Sequence, residues 1–196
     1  MHLYIYLAFY VLIFLFVFVL FYFDPVSGGS PAYIPHIESD GSMYVQIVGQ
    51  EEPLAALSDK LEEVLADESY ALTEAEFGQN VCAQYTEDDA WYRATVEQVT
   101  EDGQYRVRFI DYGNTDKVAA ERLAKHPEGT EPSVIPAFAW KCYLSGLSTT
   151  LTEEQISQLK GFIIDQEVNV DFVAEDKVKV SVGGKDVMDL MGLKEG

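Results

Sequence analysis

Four aromatic rings and one amide are the residues whose types and spacing could do chemistry. Tyr85, Tyr92, Phe109, Tyr112 and Asn114 fall within one stretch, Val81 to Lys117, VCAQYTEDDAWYRATVEQVTEDGQYRVRFIDYGNTDK. Aromatic faces carry negative quadrupole charge and attract a cation, at about 0.5–2 kcal/mol per good contact. A side-chain amide beside them can accept a hydrogen bond from an N–H that the cation keeps. Any one ring in a short strand reads equally well as core. Four rings and an amide converging on one spot read as a box for a cation.

Convergence follows from the strands. Val81, Ala83 and Tyr85 alternate along one segment, Tyr92, Ala94 and Val96 along a second, and Tyr105, Val107 and Phe109 along a third. Period-two patterning predicts strands with one buried face. Thr86-Glu87-Asp88-Asp89 and Glu101-Asp102-Gly103 are turn-forming connections, so the three make an antiparallel meander. In a meander the end of one strand lies beside the start of the next. Tyr85 therefore sits near Tyr92, Phe109 returns to the same edge, and the Asp111-Tyr112-Gly113-Asn114 loop follows there. Trp91 has the opposite parity and is expected outside the barrel, against a neighbouring element.

Charge narrows the partners. The chain has 33 acidic and 13 basic residues, a formal net charge of −20. A nucleic-acid phosphate surface needs the reverse balance, whereas an acidic surface favours cationic partners. Glu87, Asp88 and Asp89, in the turn beside the rings, are placed to steer such a partner. Cys82 and Cys142 lack metal-ligand spacing and fit ordinary packing in a reduced compartment, although position alone leaves a disulfide open. His2, His36 and His126 are isolated, and no cofactor or metal is expected.

The stretch resembles a Tudor domain of the extended type, found in germline Tudor proteins and in Tudor–staphylococcal-nuclease proteins. The matching residues are Gly78, Val81, Ala83, Tyr85, Asp89, Trp91-Tyr92-Arg93-Ala94, Val96 and Phe109-Ile110-Asp111-Tyr112-Gly113-Asn114. The resemblance implies that Tyr85, Tyr92, Phe109 and Tyr112 are an aromatic cage and Asn114 its hydrogen-bonding partner. It further implies a ligand, symmetrically dimethylated arginine in RG- or RA-rich tails of Piwi-like or other ribonucleoprotein partners, and hence a place in the piRNA pathway and germ granules. Strand geometry alone gives only the cation box.

Flanking segments complete the expected architecture, which is mostly β with flanking helices. In extended Tudor domains the barrel is inserted in a staphylococcal-nuclease-like OB module. Residues 43–70 hold a strand, Met43 to Val48, and a helix with Leu54, Leu57, Leu61, Val64 and Leu65 on its apolar face. The Tudor core spans residues 71–125, and 126–136 is a proline-rich connector. Residues 137–196 supply a strand over Ala137 to Leu144, with Phe138, Trp140, Cys142 and Leu144 on one face. A helix opened by the capping box Thr152-Glu153-Glu154-Gln155 follows. Two more strands and a last short helix complete this part. Residues 25–42, which include Ser27-Gly28-Gly29-Ser30-Pro31, read as a flexible linker.

The N-terminus reads as a hydrophobic helix. Leu3 to Phe23 is uncharged throughout and long enough to cross roughly 30 Å of hydrocarbon. A membrane anchor over residues 1–24 is favoured over a signal peptide, since no basic region or small-residue cleavage site accompanies it. An adventitious extension is a third reading. The Tudor resemblance implies a cytoplasmic domain and a binding module that is not an enzyme. A scaffold with an unused cage and a nuclease built on the OB-like module are the alternatives.

Overall fold

The computed structural model describes residues 29–147 and 150–193. The strands are β1 (Ser30–Ile37), β2 (Met43–Ile47), β3 (Asn80–Gln84), β4 (Trp91–Val99), β5 (Tyr105–Phe109), β6 (Thr115–Val118), β7 (Leu123–Ala124), β8 (Trp140–Leu144), β9 (Val168–Ala174), β10 (Lys177–Val182) and β11 (Lys185–Asp186). Helix α1 (Glu51–Leu65) follows β2, α2 (Glu153–Ile163) follows β8, and α3 (Val187–Leu190) follows β11. The protein is mostly β, with a five-stranded barrel and few helices.

That barrel is the antiparallel sheet β6-β5-β4-β3-β7. The alternation read from the sequence fills it: Val81, Ala83, Ala94, Val96, Tyr105, Val107 and Phe109 are buried together. The second sheet runs β11-β10-β8-β2-β1-β9, and β9 also pairs with β10, so the sheet closes on itself. The chain leaves this sheet after β2, builds α1 and β3–β7, and rejoins it at β8. Helix α2 carries both hydrogen bonds of the Thr152–Gln155 capping box and buries Ile156, Leu159 and Ile163 in the second core. Helix α1 buries Leu57, Leu61 and Leu65, one residue per turn, beside Cys82, Ala124 and the partly buried Trp91. Trp91 thus lies outside the barrel core, as its parity requires.

Two expectations are corrected. Residues 30–37, assigned to the flexible linker over 25–42, form β1, with Ala32, Ile34 and Ile37 at 0–2% exposure. The register between β1 and β2 shifts between Tyr33 and His36, around Pro35. The shift puts Ile34 and Ile37 in the same core although they differ in parity, which breaks the period-two signal. The strand expected over Ala137 to Leu144 begins only at Trp140. Phe138 packs in the α1 cluster instead, and Trp140, the first residue of the strand, is 40% exposed while Cys142 and Leu144 are buried. Both cysteines are free and lie in different cores. Among the described residues no helix is long and apolar enough to cross a membrane; the hydrophobic segment Leu3 to Phe23 lies outside them.

Candidate functional site: an aromatic cluster at the mouth of the barrel

The meander brings the four rings together. Register pairs Ala83 with Tyr92 and Ala94 with Phe109, so Tyr85, Tyr92 and Phe109 emerge at one end of β3, β4 and β5. Tyr85 and Phe109 have centroids 5.3 Å apart, Tyr92 and Phe109 5.6 Å, Tyr85 and Tyr92 6.3 Å, and Tyr92 and Tyr112 5.4 Å. Their planes cross at 69–87°, as edge-to-face rings prefer. Tyr92 touches the other three. Phe109, 1% exposed, belongs to the barrel core and backs the cluster, while the three tyrosines are partly exposed.

Both loops that carry these rings are pinned. In the first, Tyr85 N–H donates to the Ala90 carbonyl at 2.9 Å and Asp89 N–H to the Tyr85 carbonyl at 3.0 Å. Asp89 adopts a left-handed conformation (φ 59°), and its carboxylate pairs with Arg122 at 2.6 Å. Thr86 N–H donates to the Asp116 carboxylate at 3.0 Å. In the second loop, Tyr112 and Gly113 N–H groups both donate to the Phe109 carbonyl, and Phe109 N–H donates to the Asn114 carbonyl at 3.0 Å. Asn114 is thereby anchored beside Phe109. Its side-chain amide makes no hydrogen bond to any described residue.

The phenols stay neutral at any physiological pH. Burial pushes the Tyr92 hydroxyl well above the usual tyrosine range, and the Asp88 carboxylate that accepts its hydrogen bond adds to the shift. Burial, with Asp111 and Asp88 nearby, also raises Tyr112.

Sequence reasoning missed what holds the two loops in place. Arg93, next to Tyr92, points to the far side of the sheet and is wholly buried; Asp111, next to Tyr112, is 3% exposed. The pair is bidentate, Nη2 to Oδ1 at 2.6 Å and Nε to Oδ2 at 2.9 Å. The remaining guanidinium N–H groups donate to the carbonyls of Thr130, Ile135 and Pro136, and Phe138 N–H donates to Asp111 at 3.0 Å. The proline-rich connector therefore wraps a saturated ion pair. The parity of Trp91 was the available signal: an outside face that carries Trp91 carries Arg93 too.

The second sheet also touches the Tyr112 loop. Gln46 donates to the Asp111 carbonyl, and the Tyr44 ring lies against Gly113. A Cβ on Gly113, where φ is 93°, would come within 2.0 Å of that ring. Arg108 lies over the same ring, 5.4 Å from its centroid, and binds Glu38, Glu97 and the Gly113 carbonyl.

Fold and cluster together define a class of aromatic-cage binding domains, and comparison with known proteins specifies it. The Tudor domain family matches residues 25–146, and the chain belongs to that family. Its fold is that of extended Tudor domains. Mouse Tudor domain-containing protein 6 is 31% identical over 142 residues, which cover 72% of this chain and 7% of the mouse protein. Drosophila melanogaster protein tudor is 28% identical over 119 residues, covering 61% of this chain and 4% of that protein. The chain thus spans only a small part of these relatives. Extended Tudor domain TD3 of mouse TDRD1, solved with a MILI peptide containing dimethylarginine, superposes with TM-score 0.72 at 21% identity, over 85% of this chain and 90% of that one. The extended Tudor domain of Drosophila melanogaster Tudor-SN gives 0.71 at 20% identity, over 86% of each chain. The human TDRD1 extended Tudor domain, solved with a symmetrically dimethylated peptide, gives 0.70 at 24% identity, over 83% of this chain and 85% of that one.

Proposed function

We propose that this chain is a methylarginine reader, and that Tyr85, Tyr92, Phe109, Tyr112 and Asn114 are its binding residues. The observation that carries the reading is the set of four rings with neighbouring planes 69–87° apart, beside an amide with no protein partner among the described residues. Tyr85 and Tyr112 make no ring contact with each other. A planar guanidinium enters between them, with Phe109 as floor and Tyr92 as side wall. Dimethylation keeps the charge, removes N–H donors and adds apolar surface, so the group fits rings better than water does. Asn114 accepts the N–H that remains. The ligand class is supported by the relatives solved with dimethylated peptides, and Piwi-like tails are the partner class those complexes favour.

The second sheet is read as the OB-like, staphylococcal-nuclease-type module. Its closed circuit β1-β2-β8-β10-β9, interrupted after β2 by the Tudor insertion, supports this assignment. It acts as a wall for the Tyr112 loop through Tyr44 and Gln46.

Titration of the full chain with an RG peptide carrying one symmetric dimethylarginine, against the unmethylated peptide, tests the reading. Binding in the range of tens of micromolar, about −6 kcal/mol, is expected for the methylated peptide, with clear preference over the other. Equal affinity for the two removes the proposal. A scaffold with an idle cage predicts instead that Tyr112→Ala with Asn114→Ala leaves partner capture intact.

A further inference from the structure

The turn that carries Tyr85 into Tyr92 holds four carboxylates in or against it whose contacts differ. Asp89 is paired with Arg122 at 2.6 Å. Asp116 accepts the Thr86 N–H, and Glu62 of α1 accepts the Trp91 N–H. These three stabilise backbone or neutralise a cation. Asp88 does something else. Its Oδ1 accepts the Ala90 N–H at 3.0 Å, which fixes the carboxylate, and its Oδ2 accepts the Tyr92 hydroxyl at 2.8 Å. Among the described residues no Lys, Arg or His pairs with it.

We propose that Asp88 is the positioning residue of the cage: it sets the plane of the Tyr92 ring and holds an uncompensated negative charge at the mouth, selecting a charged ligand over a neutral isostere. This rests on the reading of the cluster as a methylarginine site. The physical case has two parts. A tyrosine ring in a short strand rotates about two torsions, and a hydrogen bond at its far end restricts both. Tyr92 is the ring that touches the other three, so its plane sets the shape of the box. The second part is charge. Ring quadrupoles alone attract a cation at short range, while a carboxylate beside them adds a longer-ranged attraction that salt screens, with a Debye length of about 8 Å at physiological ionic strength. The ligand class that follows is a peptide whose methylated side chain bears full positive charge, with no phosphate or carboxylate next to it.

Two substitutions separate the parts. Asp88→Asn keeps an acceptor for the Tyr92 hydroxyl and removes the charge; Asp88→Ala removes both. The full chain is titrated with the symmetric dimethylarginine RG peptide and with the same peptide carrying citrulline, at low and high salt. Asp88→Ala is expected to lose about tenfold in affinity for the methylated peptide at low salt. Asp88→Asn loses about threefold to fivefold, and the deficit shrinks at high salt. Discrimination against citrulline falls in both variants. The ring carbon–proton signals of Tyr92 move in Asp88→Ala and hold in Asp88→Asn, which a general loss of stability does not produce. Asp88→Ala binding within about twofold of the unsubstituted chain, while that chain still prefers the methylated peptide, overturns the role of Asp88 and leaves the cage standing. An unsubstituted chain that does not discriminate methylation removes the cage, and Asp88's role with it.

Discussion

Tyr92 and Arg93 are neighbours in the chain, and so are Asp111 and Tyr112, yet the members of each pair meet opposite surroundings. Tyr92 and Tyr112 meet edge to face at the open mouth of the barrel. Arg93 and Asp111 meet on the other side of the sheet, at 0% and 3% exposure. Every N–H of that guanidinium has an acceptor, and the carboxylate also takes the Phe138 N–H. The rings, by contrast, contact one another and a single carboxylate. A binding site has to leave interactions unmade, and its support has to leave none. Period-two strand geometry lets one short motif encode both, because consecutive side chains face opposite sides.

The largest effect is expected at the support. Arg93→Ala leaves Asp111 buried without its counter-charge and frees three connector carbonyls, so it is expected to destabilise by about 3–5 kcal/mol. Thermal and urea unfolding measure it, and peptide binding falls only as the folded fraction falls. A loss under about 1 kcal/mol would mean that the pair is solvated in the protein. Removing both partners together, Arg93→Ala with Asp111→Ala, is expected to cost less than the sum of the single changes, because the stranded charge is gone.

Gly113 couples the two regions. Alanine there meets the Tyr44 ring and also demands a left-handed backbone, so the loop has to shift. The expected loss of stability is about 1–3 kcal/mol. Binding falls as well, since Tyr112 and Asn114 flank the residue. Unchanged unfolding with unchanged binding would show that the contact between the two sheets has slack.

Legibility in the sequence tracks period. The rings can be placed because Val81 to Phe109 alternates and both turns are short, and the same loop places Asn114. Strand β1 is hidden by the register shift around Pro35, which moves Ile37 out of phase with Ala32 and Ile34 and makes a strand read as a linker. Arg93 carries its signal only through Trp91: a charged residue on a face that packs needs a buried partner, and Asp111 stands beside a residue already assigned to the cage. Contacts such as Tyr44 on Gly113 join segments distant in sequence, which no local pattern reports. Asp88 is visible only as one acid among three.

Substitutions in the cage are expected to disturb the fold less. Tyr112→Ala removes one partly exposed ring and is expected to weaken dimethylarginine binding by at least about tenfold, roughly 1.4 kcal/mol, while stability changes by less than about 1 kcal/mol. Isothermal titration and unfolding on the same sample separate the two. If Tyr112→Ala costs as much stability as Arg93→Ala, the contrast between open mouth and sealed support fails, because the rings would then be core.

Asn114 gives the smallest and most specific effect. Its amide can improve binding only for a ligand that still offers an N–H. Asn114→Ala is therefore expected to weaken the symmetric dimethylarginine peptide by about 0.5–1.5 kcal/mol, roughly threefold to tenfold. A peptide with trimethyllysine at the same position has no N–H and should lose nothing from the substitution, whatever its own affinity for the rings. Equal losses on both ligands would assign Asn114 to the shape of the loop, where its main-chain carbonyl already holds Phe109. A loss confined to the guanidinium ligand assigns the side chain to recognition, and separates an arginine reader from a general cation box.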